Sequence, residues 1–312
     1  MSVWLKLLDY FFLLRPTQFF PLWITFVCGV IAASTPDLFS LSHLPYYPLL
    51  LYSLNGGAIF IFNQIADQES DALNQKLFLL SEKHLPISTA WIEAIGLTMI
   101  SVWLSMEISY AFFAIMLLGS VFGLLYSFAR FMSHPVLSIF VNGVGGVLAY
   151  CCGYFAINLQ PQEIYWQVIF ESLPFGLAWA SISILVAIPD IKGDKAFGKN
   201  TFPVLYGLKP SFGVALGLNL LTLILSFLTQ NIFVIFTVGI TAGASALPFF
   251  NIYFKNNFTI HSSQKTVKIA FVVLALSSVL FYPVFVILLA SNFFLSKYYY
   301  KKRFKLNYPN LS

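Results

Sequence analysis

Apolar residues run through this chain in long blocks, and its charged residues collect between them. A helix needs about 20 apolar residues to cross a bilayer core. Nine blocks of that kind can be marked, at roughly 17–34, 46–66, 88–106, 109–127, 136–158, 166–189, 211–229, 231–251 and 268–294. The pattern predicts an all-α polytopic membrane protein, folded as a single domain over 1–312. Residues 1–16 form a shorter amphipathic run that ends at Arg15-Pro16. That run is too short and interrupted for a secretory signal and lacks the character of a transit segment, so it is expected to lie along the membrane surface.

Composition sharpens this reading. The 312 residues are 59% hydrophobic and only 9% charged, against about 25% charged in soluble domains. A soluble fold is thereby excluded, and the net charge of +5 does not suggest a nucleic-acid partner. Cys28, Cys151 and Cys152 all lie inside apolar blocks, with neither a disulfide framework nor zinc spacing. The distribution of basic residues orients the chain. Lys6, Arg15, Lys76, Lys83, Arg130, Lys192, Lys195, Lys199, Lys209, Lys255, Lys265 and Lys268 fall before the first block or after the second, fourth, sixth and eighth. The alternate loops carry none, so these five segments are expected on the cytoplasmic side, which in a bacterium means the cell inner membrane. The tail, 295–312, is also basic, with Lys297, Lys301, Lys302, Arg303 and Lys305. Nine crossings would put it on the opposite side, against the same rule.

Two polar runs stand out at the ends of apolar blocks. Asn63, Asp67 and Asp71 are spaced i, i+4, i+8, and Asp190 and Asp194 are again four apart. On helices each set lines one face. Both fall on the basic side, each after the second block of a four-block half, which points to two similar four-helix halves facing a shared cavity. One Asp-xxx-Asp pair is ordinarily a solvated helix end. Two at equivalent places, at a membrane edge where carboxylates are costly, indicate a site. Hard oxygen donors in small number suit Mg²⁺ that also carries phosphate oxygens. Arg130, Lys192 and Lys195 are available beside them as diphosphate donors. Glu69 falls off the motif face and is expected to face solvent. Gly56, Gly57, Gly143, Gly145, Gly146 and Gly153 are placed to let helices approach closely.

The motif pair Asn63-xxx-Asp67-xxx-Asp71 and Asp190-xxx-Asp194 resembles that of the UbiA-type intramembrane polyprenyltransferases. Leu14-Arg15-Pro16-Thr17 resembles that family's opening element, and Leu125-Tyr126-Ser127 its Tyr-Ser element. The segment 188–207, which contains Pro189-Asp190-Ile191-Lys192-Gly193-Asp194 and Phe197-Gly198-Lys199-Asn200-Thr201, is the most specific. With Asn63-Gln64, it is most similar to the homogentisate prenyltransferase branch. The resemblance implies nine helices around a lipid-open cavity. It also implies a polyprenyl diphosphate donor, Mg²⁺ as cofactor, and substrate contacts at Arg15 and Tyr126. The acceptor it implies is an aromatic quinone precursor, with a glycerol-phosphate lipid, a tetrapyrrole and a porphyrin as alternatives. A transporter of a cation or phosphorylated lipid is the competing class. Transporters commonly place their charges at mid-membrane on broken helices, whereas these carboxylates end their helices.

Overall fold

The computed structural model describes residues 3–33, 44–74, 79–158 and 165–309, and every regular element among them is helical. Lys76, residues 1–2 and residues 310–312 lie outside the described part. The first half of the bundle contains α1 (Val3–Leu13), α2 (Phe19–Ala33), α3 (Tyr46–Leu73), α4 (Ile87–Ser105) and α5 (Tyr110–Phe128). The second half begins with α6 (Pro135–Phe155) and α7 (Tyr165–Ala187). Two short helices follow, α8 (Ile191–Ala196) and α9 (Phe202–Tyr206), and then α10 (Leu208–Leu228). The short α11 (Ile232–Val234) runs through a π-helical turn into α12 (Ile240–Phe254). The chain closes with α13 (Ile260–Phe281) and α14 (Phe285–Phe304). Among the described residues, nine helical segments are long and apolar enough to cross a membrane.

The two halves meet where α2 crosses α6. A methyl group on Gly29 would overlap the backbone carbonyl of Tyr150, and one on Gly153 would overlap that of Phe26. The glycines therefore let two backbones touch, which replaces the hydrophobic drive that lipid cannot supply between helices. Around this contact lies a core that includes Phe26, Tyr150, Cys152 and Phe175. Small polar groups link helices elsewhere. Asn55 Nδ2 donates to Ser120 Oγ at 2.8 Å, Ser181 Oγ to the Ala215 carbonyl at 2.8 Å, and Asn219 Nδ2 to the Ala242 carbonyl at 2.7 Å. Each such bond contributes about 0.6–2 kcal/mol in a membrane interior. Glu171, buried on α7, accepts from Tyr150, Gln167 and Asn231 and so ties α6, α7 and α11 together.

The loops that carry the basic residues gather at one end. Asn200 N donates to the Ser133 carbonyl at 3.1 Å, joining the segments after α5 and α8. Tyr253 Oη donates to the Lys209 carbonyl at 3.1 Å, joining the start of α10 to the end of α12. At the other end, Trp103, Tyr110 and Trp166 are 73%, 87% and 82% exposed, as in the aromatic belt of a membrane interface.

The end of the chain differs from the expectation of one span over 268–294. Pro283 follows Tyr282, which leaves helical geometry at φ −135° and ψ 74°, and the helix breaks there. Proline has no N–H to continue the ladder and disfavours the helical region for the residue before it. The chain reverses into α14, which runs back alongside α2 and α1. Phe285 packs on Trp23, Asn292 bonds to Pro16, and Arg303 bonds to Asp9. The basic tail thus returns to the end that holds the other basic loops, and the apparent conflict with the charge rule disappears.

Candidate active site

α3 continues seven residues past the expected end of the second span, so Asn63, Asp67 and Asp71 lie on one unbroken helix. Asn63 Nδ2 donates to Asp67 Oδ2 at 3.2 Å, which sets the amide with its nitrogen toward the carboxylate. Glu69 is exposed, as its place off the motif face requires. The second motif forms differently. Pro189 lies in a 3-10 turn, Ile188–Asp190, that ends α7, and α8 restarts at once. Asp194 on α8 is buried and accepts from Thr201 Oγ1 at 3.2 Å.

Asn74 docks the two motifs together. Its Oδ1 accepts from Gly193 N at 2.8 Å and its Nδ2 donates to the Asp190 carbonyl at 3.3 Å. Any side chain at position 193 would overlap the Asn74 carboxamide, so the docking requires glycine there. Lys199 then bridges the carboxylates. Its ammonium bonds to Asp67 Oδ1, donates to Ser70 Oγ at 2.8 Å, and lies 3.8 Å from Asp194 Oδ1.

These groups form the polar end of a cavity of about 390 Å³, within the usual size of small-molecule sites. Asn63, Asp67, Asp190, Asp194, Arg15 and Lys199 line that end, with Tyr126 below them in contact with Asn142. The rest is mainly apolar and aromatic, with Phe60, Phe122, Trp179 and, deep in the bundle, Tyr52 and Cys152. Asp67 and Tyr52 both line it from α3, and their separation in sequence corresponds to about 22 Å of helix. Asp71 is buried one turn beyond the cavity, within electrostatic reach of Arg15, which also faces Asp190. Arg130, Lys192 and Lys195 are exposed and line no part of the cavity. The structure therefore brings together the carboxylates, Asn63, Arg15 and Tyr126, and leaves those three bases at the rim.

Sequence reasoning missed Lys199 as a site residue, together with Asn74 and Thr201. Lys199 and Thr201 stand inside the most specific sequence segment, but in a loop, where helical spacing gives no direction. Asn74 continues the α3 motif at three residues rather than four and had no assigned purpose.

Among the described residues no three His, Cys, Asp or Glu side chains cluster closely enough to hold a metal alone. The carboxylates nevertheless outnumber the partly buried cations beside them, Arg15 and Lys199, and an ammonium already bridges Asp67 and Asp194. All the donors are oxygens. That suits Mg²⁺, which takes one or two carboxylates, retains water and completes its shell with phosphate oxygens.

Comparison with known proteins gives the family and the fold. The model of the UbiA prenyltransferase family matches residues 22–261, and the chain belongs to that family. It is 27% identical over 221 residues to 2-acyl-4-prenylphloroglucinol 6-prenyltransferase of Humulus lupulus, covering 66% of this chain and 54% of that protein. It is 26% identical over 162 residues to homogentisate phytyltransferase 1 of Arabidopsis thaliana, covering 48% and 41%. The chain thus spans about half the length of the curated relatives it matches. The fold is that of a UbiA homolog from Archaeoglobus fulgidus solved with GPP and Mg²⁺. The TM-score is 0.66 at 21% identity, over 86% of this chain and 99% of that one.

Proposed function

We propose that this integral membrane protein is a prenyltransferase that moves a polyprenyl group from its diphosphate to an electron-rich aromatic acceptor, such as a quinone precursor. One observation carries the reading: two carboxylate motifs from separate halves meet, through Asn74 and Lys199, at the polar end of a long apolar cavity. The diphosphate belongs at that end and the isoprenoid chain along the aromatic walls. Asn63, Asp67, Asp71, Asp190 and Asp194 would hold Mg²⁺ together with the diphosphate. When bound, Mg²⁺ supplies charge neutralisation to the departing diphosphate.

Arg15 and Lys199 donate to the diphosphate oxygens, where negative charge grows as the bond breaks. The C1–O bond breaks heterolytically, and its electron pair leaves with the diphosphate. Tyr126, Phe122 and Trp179 line the cavity, and an aromatic face turned to the allylic cation contributes about 0.5–2 kcal/mol. The acceptor ring carbon forms the new C–C bond, and its displaced proton passes to a diphosphate oxygen or water. Exposed Arg130, Lys192 and Lys195 raise the local concentration of anionic substrate. The aromatic acceptor is supported by the two plant relatives, whose names specify a phloroglucinol and homogentisate. The gathered basic loops, now including the tail, support placing the motif end on the cytoplasmic side of a cell membrane.

Incubation of the purified protein with prenyl diphosphates of several lengths and with aromatic, glycerol-phosphate and tetrapyrrole acceptors tests the reading by product mass. A prenylated aromatic ring is expected. Products confined to glycerol-phosphate lipids or tetrapyrroles would overturn the acceptor assignment, and no prenylated product with any pair would overturn the activity.

A further inference from the structure

Arg15 is a non-glycine residue in the left-handed region, at φ 55° and ψ 57°. Such a conformation is unfavourable, persists only where its surroundings hold it, and collects at working sites. Gln64 Nε2 of α3 donates to the Leu13 carbonyl at 2.9 Å, and the other attachments around Arg15 come from the far end of the chain. Before it in sequence, Asp9 is 2% exposed and accepts from Tyr299 Oη at 2.6 Å. Asp9 also accepts from Arg303 Nε at 3.0 Å and Arg303 Nη2 at 3.1 Å. Phe12 stacks on Tyr299 with ring centroids 3.7 Å apart. After Arg15, the Pro16 carbonyl accepts from Asn292 Nδ2 at 2.6 Å. Asn292, Tyr299 and Arg303 all belong to α14, which lies beyond residue 261, where the family match ends. Asp71 and Asp190, with Tyr300 and Tyr308 of the tail, lie within electrostatic reach of the guanidinium.

We propose that α14 is a positioning element for prenyl diphosphate binding. Arg303, Tyr299 and Asn292 fix the short segment Asp9–Pro16 from both sides and so aim Arg15 at the carboxylate rim. The proposal rests on the reading that Arg15 meets the diphosphate. A guanidinium is a planar fork whose donors work only when correctly oriented, and a displacement of about 1 Å at a reacting group can cost about a hundredfold in rate. Bracketing attachments on both sides of a single partly buried arginine suit that requirement better than general stabilisation does. A helix that served only to cover the bundle would not need to bond Pro16 and Asp9 at once.

The test is steady-state kinetics on full-length protein, with prenyl diphosphate and acceptor varied in turn. Arg303→Ala, Tyr299→Phe and Asn292→Ala are each made alone and in an Arg15→Ala background. Each single variant is expected to raise the KM for prenyl diphosphate about tenfold, with the acceptor KM unchanged. In the Arg15→Ala background they should add nothing, because they act through that residue. Lys301→Ala and Lys302→Ala, exposed on the same helix, should match the parent. Losses that multiply in the double variants would overturn the proposal. So would a lowered melting temperature with an unchanged prenyl diphosphate KM. If Arg303→Ala does not fold, Tyr299→Phe carries the test, since it keeps the stacked ring and removes one donor. A silent Arg15→Ala would remove the diphosphate reading of Arg15. An active effect there beside silent α14 variants would remove the positioning proposal alone.

Discussion

Replacing Lys199 by methionine should change rate and metal affinity in opposite directions. The ammonium bonds to Asp67 and lies 3.8 Å from Asp194, with both side chains largely buried. At an effective dielectric constant near 20, unit charges at that separation attract by about 4 kcal/mol. Lys199 therefore competes with a divalent cation for the same carboxylates. Removing it should lower the Mg²⁺ concentration needed for half-maximal rate, because Asp67 and Asp194 are released. If Lys199 turns to the diphosphate during ionisation, the same change removes a charged donor from the transition state. One preorganised donor is worth about 3 kcal/mol, or about a hundredfold in kcat. Lys199→Arg should retain part of the rate. The assay is prenyl transfer across a Mg²⁺ titration for the parent, Lys199→Met and Lys199→Arg. An unchanged kcat in Lys199→Met would show that the bridge is structural, and a raised Mg²⁺ requirement would show that Lys199 does not compete with metal.

Asp67→Asn, Asp71→Asn, Asp190→Asn and Asp194→Asn should each lower kcat about a hundredfold, since each removes a carboxylate from the metal and diphosphate site. Glu69→Ala, exposed and off that face, should match the parent in the same detergent; an equal loss there would mark the motifs as ordinary helix ends. Gly153→Val should destabilise the protein by about 3 kcal/mol or more, since the Phe26 carbonyl has no room to yield. Gly217→Ala, which meets nothing within 4 Å, should not destabilise it, and equal melting temperatures for the two would refute the backbone contact between the halves. Single cysteines at Ser81, Lys195 and Lys302 should react with an impermeant reagent from one membrane face. Labelling of Lys302→Cys from the other face would contradict the reversal at Pro283.

The helical bundle was legible in the sequence because long apolar blocks admit few other structures in lipid. The carboxylate rows were legible because 3.6-residue periodicity projects Asn63, Asp67 and Asp71 onto one face without tertiary information. Lys199 was not, since its direction depends on how the loop after α8 folds back on α3. Arg130, Lys192 and Lys195 looked equally suitable by proximity in sequence, yet the same folding leaves them exposed. The turn at Pro283 did leave a signal, in the proline and in the five basic residues of the tail. An unbroken run of apolar residues around it concealed the reversal. The clamp of Asp9 by Tyr299 and Arg303 joins the two ends of the chain, and nothing local in either segment announces the other.

The central claim is that the two motifs together form a metal-dependent diphosphate site. The most direct measurement is release of inorganic diphosphate from prenyl diphosphate, followed beside prenylated product, with Mg²⁺ present and after chelation. Diphosphate and product are expected to appear one for one with Mg²⁺, and neither should appear in its absence. Equal turnover in the chelated, metal-free sample would contradict the account.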